Sequence, residues 1–242
     1  MRQHEAVIKV MEENDGFATL GFLYQAVMRV SGCEWKTKTP FATIRRIVQD
    51  DRFFFRIRPG LWALKSNKTE IEKRFHLDGD SATQSAFNHA YFQGLLVEIG
   101  NMKGFGTFVP SQDQNRTFLG TPLKDIATAP NLYPFTYDRI LRRVRTIDVV
   151  WFNSREFPQS FFEVEYTTDM QTSLLKFVDL QDFHSDFYIV SDKVRKNEFD
   201  GKLNYEAFRS IGDRVRFADY DHIAGLHTRI SELQQYRSLG SL

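Results

Sequence analysis

Residues 146–167 read TIDVVWFNSREFPQSFFEVEYT, and the placing of three of their acids, Asp148, Glu163 and Glu165, decides the fold. Two strand-like runs, Thr146–Phe152 and Phe161–Thr167, flank a polar connecting segment. Side chains alternate between the two faces of a strand, so Glu163 and Glu165 project from one side. Phe162, Val164 and Tyr166 are then expected on the opposite, core-facing side. Ile147, Val149 and Trp151 likewise point away from Asp148. Carboxylates in apolar strands cost free energy unless something compensates them. Two like charges on one face also repel. A hard divalent cation with oxygen ligands relieves both costs, and Mg²⁺ suits that donor set, with Mn²⁺ as a substitute. The competing expectation is ion pairing with Arg142, Arg143, Arg145 or Arg155.

Working outward, residues 83–100 (TQSAFNHAYFQGLLVEIG) have helical periodicity, with Glu98 near their end. An acid near a helix C-terminus is locally unfavourable, which singles Glu98 out. A first strand is expected over Phe105–Pro110. Downstream, a helix over Asp169–Leu180 is expected to be capped by Thr168, with Lys176 within it. A strand follows at Asp186–Ser191, a helix at Asn204–Ile211, a strand at Val215–Ala218 and a closing helix at His222–Tyr236. The order predicts a mixed sheet flanked by helices.

The N-terminal part reads differently. Ala6, Val7, Val10 and Met11 recur at helical spacing over residues 3–14, and Gly16 stops that helix. Thr19 can cap a second helix, Leu20–Val30, ended by Gly32. Thr39-Pro40 is an N-cap followed by proline and opens a third helix, Pro40–Asp50. Two short β-runs, Phe53–Arg58 and Leu61–Leu64, are joined by the turn signal Pro59-Gly60. Three helices and a two-stranded wing are the winged-helix order. The division expected is a winged helix over residues 1–66, a polar linker over 67–82 and a second domain over 83–242.

Composition sets the bounds. The chain has 242 residues, a formal charge of +1 and 42% hydrophobic residues, so a disordered or collagenous chain is excluded. The sequence has no apolar run long enough for a membrane span. The N-terminus lacks a signal-peptide core, and one cysteine, Cys33, leaves no disulfide framework. A reduced cytoplasmic protein is expected. The small net charge hides an asymmetry: residues 29–68 hold ten Lys+Arg against three Asp+Glu. That is the footprint a phosphate backbone attracts. On the third helix and its approach, Lys36, Lys38, Thr39, Thr43, Arg45, Arg46 and Gln49 are candidates for phosphate and base contacts. Arg56 and Arg58 are candidates on the wing. A winged helix used for protein contacts is the alternative. The six histidines (His4, His76, His89, His184, His222 and His227) show no metal-ligand spacing, and no phosphate-binding glycine loop is present.

Two resemblances sharpen these expectations. TPFATIRRIVQDD followed by RFFFRIRPGLWAL resembles the winged-helix module at the N-terminus of some restriction-type proteins and chromatin regulators. Asp148, fourteen intervening residues and then Glu163-Val164-Glu165 resembles the PD-(D/E)XK nuclease superfamily over residues 82–220. The resemblance implies a restriction-endonuclease-like α/β fold (α+β overall). It implies a metal bound by Asp148, Glu163 and the Val164 carbonyl, with Glu98 matching a first-helix glutamate that joins the site in many members. Glu165 stands where the family usually has lysine, as in a minority of restriction nucleases with a Glu-X-Glu form. Lys176 could supply the displaced positive charge.

The expected function is therefore a Mg²⁺-dependent endonuclease of restriction type, cutting duplex DNA as a homodimer. Tyr133-Pro134-Phe135 and the C-terminal helix are candidates for the dimer interface. The alternatives are an inactive nuclease-fold DNA-binding regulator and a structure-specific DNA repair nuclease.

Overall fold

The computed structural model describes residues 1–240. It falls into two compact units. The first comprises Met1–Gln84 and residues from Ala224 onward, and the second Ser85–Ile223.

In the first unit α1 (Gln3–Glu13), β1 (Phe17–Thr19), α2 (Leu20–Ala26) and α3 (Pro40–Val48) precede the hairpin β2 (Phe54–Arg58) and β3 (Leu61–Leu64). The strands form an antiparallel sheet in the order β1-β3-β2. Gly60 turns the hairpin at φ 78, in the left-handed region that a side chain disfavours. Val7, Leu23, Tyr24, Phe41, Ile44 and Phe54 are buried in one core. Each fully buried apolar side chain of this size contributes roughly 1.5–3 kcal/mol. The Thr19 hydroxyl caps α2 by accepting from Phe22 N at 3.2 Å. α2 is shorter than its periodicity suggested, because residues Val27–Arg29 tighten into a 3₁₀ turn. Thr39 makes no side-chain cap on α3; its hydroxyl lies instead beside that of Thr37, at 3.5 Å.

The stretch expected as a linker is packed. It holds α4 (Lys68–Arg74), whose Ile71 is buried. Phe75 meets Phe17 edge-on at 4.8 Å. The closing helix also differs from expectation. α10 spans Tyr220–Gly240, and from Ala224 its residues belong with the first unit rather than the second. Periodicity shows that a helix exists but not which core its apolar face covers. Here a Cβ on Gly21 would lie 2.6 Å from Ser231 Oγ and 2.8 Å from His227 Cε1, so α2 and α10 approach with room only for glycine.

The second unit is a mixed α/β structure. α5 (Ser81–Met102) leads to β4 (Gly106–Phe108), a small hairpin of β5 (Thr117–Phe118) and β6 (Thr121–Pro122), and α6 (Leu123–Ile126). Then come α7 (Asp138–Val144), β7 (Val149–Phe152), β8 (Pro158–Glu165), α8 (Met170–Val178), β9 (Asp186–Ser191), α9 (Lys196–Leu203) and β10 (Val215–Asp219). Five strands form a mixed sheet in the order β10-β9-β8-β7-β4. β8, β9 and β10 run parallel, while β7 is antiparallel to both β8 and β4.

Both faces of this sheet are covered, which corrects the expectation of a single core-facing side. Phe161, on the same side as Glu163, belongs to the main core with Val150, Phe152, Met170, Leu174 and Phe177. On the other face Phe162 stacks on Tyr188 at 4.9 Å and packs on Trp151 at 4.4 Å. Parallel strands covered by helices are apolar on both sides, and that is why the acids stand inside apolar runs. Asp169, not Thr168, caps α8, accepting from Gln171 N at 2.9 Å. Tyr133 and Phe135 pack on Phe152 and Phe183 within the unit and are partly buried there. No helix among the described residues is long and apolar enough to cross a membrane.

Candidate functional site

The β7–β8 pairing sets Asp148, just before β7, against the C-terminal half of β8. Val149 pairs with Phe162, and the Asp148 Oδ2 atom accepts from Val164 N at 2.7 Å. Asp148, Glu163 and Glu165 are all buried. Burial, with repulsion from Asp148, pushes the Glu163 carboxyl well above the usual carboxylate range despite Lys176. Burial also raises Glu165, against a hydrogen bond from Ser173. The three acids therefore form one electrostatic group.

α8 runs alongside the acid face and supplies their partners. Lys176 Nζ donates to both Glu163 oxygens at 2.9 Å and to the Thr146 carbonyl at 2.8 Å. Ser173 donates to Glu163 at 3.1 Å and also to Glu165, which accepts a second hydroxyl from Thr168. The end of β8 is fixed through its backbone: the Glu165 carbonyl accepts from Ser191 Oγ at 2.6 Å and Tyr220 Oη at 2.9 Å. Arg195 donates to the Tyr166 carbonyl at 2.9 Å and the Thr168 carbonyl at 2.6 Å.

The arginines expected as ion-pair partners sit elsewhere. Arg142 and Arg145 pair with Asp138, Arg143 pairs with Asp179, and Arg155 lies over Phe157. The cations that meet the strand acids are Lys176 and His89. Lys176 is 14% exposed, a partly buried partner of the acids.

Glu98 lies nine residues beyond His89 on α5, and steps of about 100° per residue turn it to the opposite side of the helix from that histidine. α5 brings His89 and Gln93 to Asp148. His89 Nε2 lies 3.4 Å from Asp148 Oδ1 and 3.8 Å from Asp113 Oδ2. Gln93 Nε2 donates to Asp113 Oδ2 at 2.8 Å and to the Asp148 carbonyl at 3.1 Å. Arg116 Nε approaches Asp113 at 2.8 Å. Burial opposes a charge on His89, but the two aspartates outweigh it and raise the imidazole to about 10. Burial would raise Asp113, yet His89, Gln93 and Arg116 hold it below its usual value. Linear spacing passed over His89 and Asp113, which stand 24 positions apart with a strand between them. The one local signal was the i, i+4 placing of His89 and Gln93.

In the first unit, Lys38, Thr39, Arg46 and Gln49 are exposed, and Lys36 lies 3.2 Å from Glu34. The Thr43 hydroxyl donates to the Thr39 carbonyl at 3.3 Å. Arg56 Nε donates to the Arg58 carbonyl at 3.4 Å, and Arg58 to the Ile57 carbonyl at 2.9 Å. Arg45 departs from its expected role. Its guanidinium pairs with Glu232 of α10 at 2.5 Å and donates to Tyr24 Oη at 3.0 Å, so it holds the unit together.

Residues 72–239 match the family described as the Type II restriction enzyme NmeDI C-terminal domain, well over half of the chain. No curated protein matches the chain. No solved structure matches it.

Proposed function

The chain belongs to the Type II restriction enzyme NmeDI C-terminal domain family, and from that membership we propose a Mg²⁺-dependent endonuclease that cuts duplex DNA. The observation that carries the reading is the convergence of Asp148, Glu163 and Glu165 with Lys176 at one end of β7 and β8. The donor set suits a hard cation. Asp148 and Glu163 are buried carboxylates, and burial together with their mutual repulsion raises Glu163 above the usual carboxylate range, a cost that a bound cation would relieve. Asp148, Glu163 and the Val164 carbonyl would hold the ion. Bound Mg²⁺ supplies Lewis acidity toward the scissile phosphate and acidifies water.

The chain's own residues do the rest. Glu165, oriented by the Ser173 and Thr168 hydroxyls, accepts the proton of the attacking water. Lys176 replaces the lysine that the Glu-X-Glu pattern lacks. Its ammonium neutralises Glu163 before the substrate arrives and the phosphate charge during transfer. The α1-β1-α2-α3-β2-β3 order of the first unit supports a winged-helix DNA reader. Lys38, Thr39, Arg46 and Gln49 are its exposed contacts, with Arg56 and Arg58 on the wing. Two cuts require two sites, which favours a homodimer.

The test is cleavage of duplex DNA by the full chain with Mg²⁺. Asp148→Ala and Glu163→Ala should each abolish cleavage while DNA binding is kept. Undiminished cleavage by either variant overturns the assignment.

A further inference from the structure

We propose that His89, Asp113 and Asp148 form a second cation site, for a divalent transition ion such as Zn²⁺, Co²⁺ or Mn²⁺, distinct from the all-oxygen site at Asp148 and Glu163. One imidazole nitrogen and two carboxylate oxygens, each from a different residue, lie within 4.8 Å of one another. Three separate segments deliver them: α5, the loop after β4 and the residue just before β7. Ligands of one ion at about 2.0–2.2 Å sit roughly 3–3.5 Å apart, close to the 3.4 Å and 3.8 Å seen from His89 Nε2. A nitrogen donor beside two carboxylates selects borderline transition ions over Mg²⁺, which prefers oxygen alone.

Gln93 supplies an independent observation. It is 0% exposed, and its Oε1 atom has no hydrogen-bond partner. Its amide nitrogen donates to Asp113 Oδ2 and to the Asp148 carbonyl, so the carboxamide sits between two of the ligand residues. The opposite amide orientation would turn oxygen against the Asp113 carboxylate, which fixes the assignment. An unpaired buried carbonyl oxygen costs about 1–3 kcal/mol, a cost that an ion or its water ligand beside it would relieve. Asp148 divides its two oxygens between the sites. Oδ1 faces His89, while Oδ2 is held by Val164 N.

The test is Co²⁺ binding by the untagged full chain, followed by its visible absorption, with thermal melting as the fold control. His89→Gln and Asp113→Asn should each weaken binding at least about tenfold, and Gln93→Leu by about tenfold. Glu163→Gln should leave this binding in place, although it removes the Mg²⁺ site. Absence of saturable binding in the Glu163→Gln chain, or binding in that chain that survives the addition of His89→Gln, overturns the proposal and leaves the cluster as an ion triad. Loss in Glu163→Gln with retention in His89→Gln also overturns it. Should the variants fail to fold, X-ray absorption of the Zn²⁺-loaded wild-type chain decides. One imidazole in the ligand shell supports the site, and an all-oxygen shell sinks it. Cleavage with Mg²⁺ is a separate readout, so failure of the nuclease reading is told apart from failure of this one.

Discussion

Lys176 Nζ lies 2.9 Å from both carboxylate oxygens of Glu163, so a cation from α8 occupies the acid that β8 presents. Both side chains are largely removed from water, at 14% and 3% exposure. Breaking one partner of such a pair costs about 3–5 kcal/mol. Lys176→Met should therefore lower the melting temperature of the metal-free chain. Adding Glu163→Gln to it should recover part of the loss. A double-mutant cycle in thermal melts checks this, and strictly additive effects would show that the two residues do not interact.

Glu165 and Glu98 separate the proton acceptor from a helix acid elsewhere. Glu165→Gln removes a base beside the attacking water, an effect of about 10²–10⁴ in rate. Glu98→Gln should leave cleavage within a few-fold of wild type. Single-turnover cleavage under Mg²⁺ measures both. Equal losses in the two variants would restore Glu98 to the site and undo the helix-face argument.

Arg45 and Arg46 are neighbours with opposite destinies. Arg45→Ala removes the pair with Glu232 and the bond to Tyr24, so its main effect should be a lower melting temperature. Arg46 is exposed on α3, and Arg46→Ala should leave stability within about 0.5 kcal/mol. It should weaken DNA binding and reduce the slope of log K against log salt by about one. Binding isotherms at several salt concentrations check this. An unchanged slope would remove Arg46 from the interface.

Tyr24 gives the first unit an alkaline limit. Burial, against its bond from Arg45, raises the phenol from 10.0 to about 12. A raised folded value means the neutral phenol stabilises fully below pH 10, and this contribution is lost as pH rises through about 12. Tyr24→Phe should cost stability at neutral pH through the lost bond. Its deficit relative to wild type should shrink between pH 10 and 12. Urea melts across that range measure it, and a deficit constant with pH would contradict the burial argument.

Much of the fold was legible locally. Strand alternation placed Glu163 and Glu165 on one face, and Leu61–Leu64 and Asp186–Ser191 form as strands over the residues their pattern marked. Thr19 caps α2 as its position implied. Errors gathered where a local rule had a rival. Thr39 preceded a proline but does not cap, and Asp169 took the cap that Thr168 was expected to make.

The sequence alone determined which residues alternate, turn and cap, because those preferences act over a few bonds. It also determined that three acids lie inside apolar strands and that basic residues concentrate in the N-terminal part. Only the tertiary structure decided what meets those acids. Lys176 reaches Glu163 from 13 positions away, His89 reaches Asp148 from 59, and Glu232 claims Arg45 across 187. Periodicity fixes the face a side chain shows; the packing of distant elements, driven by burial of the apolar faces around it, fixes which charge stands opposite.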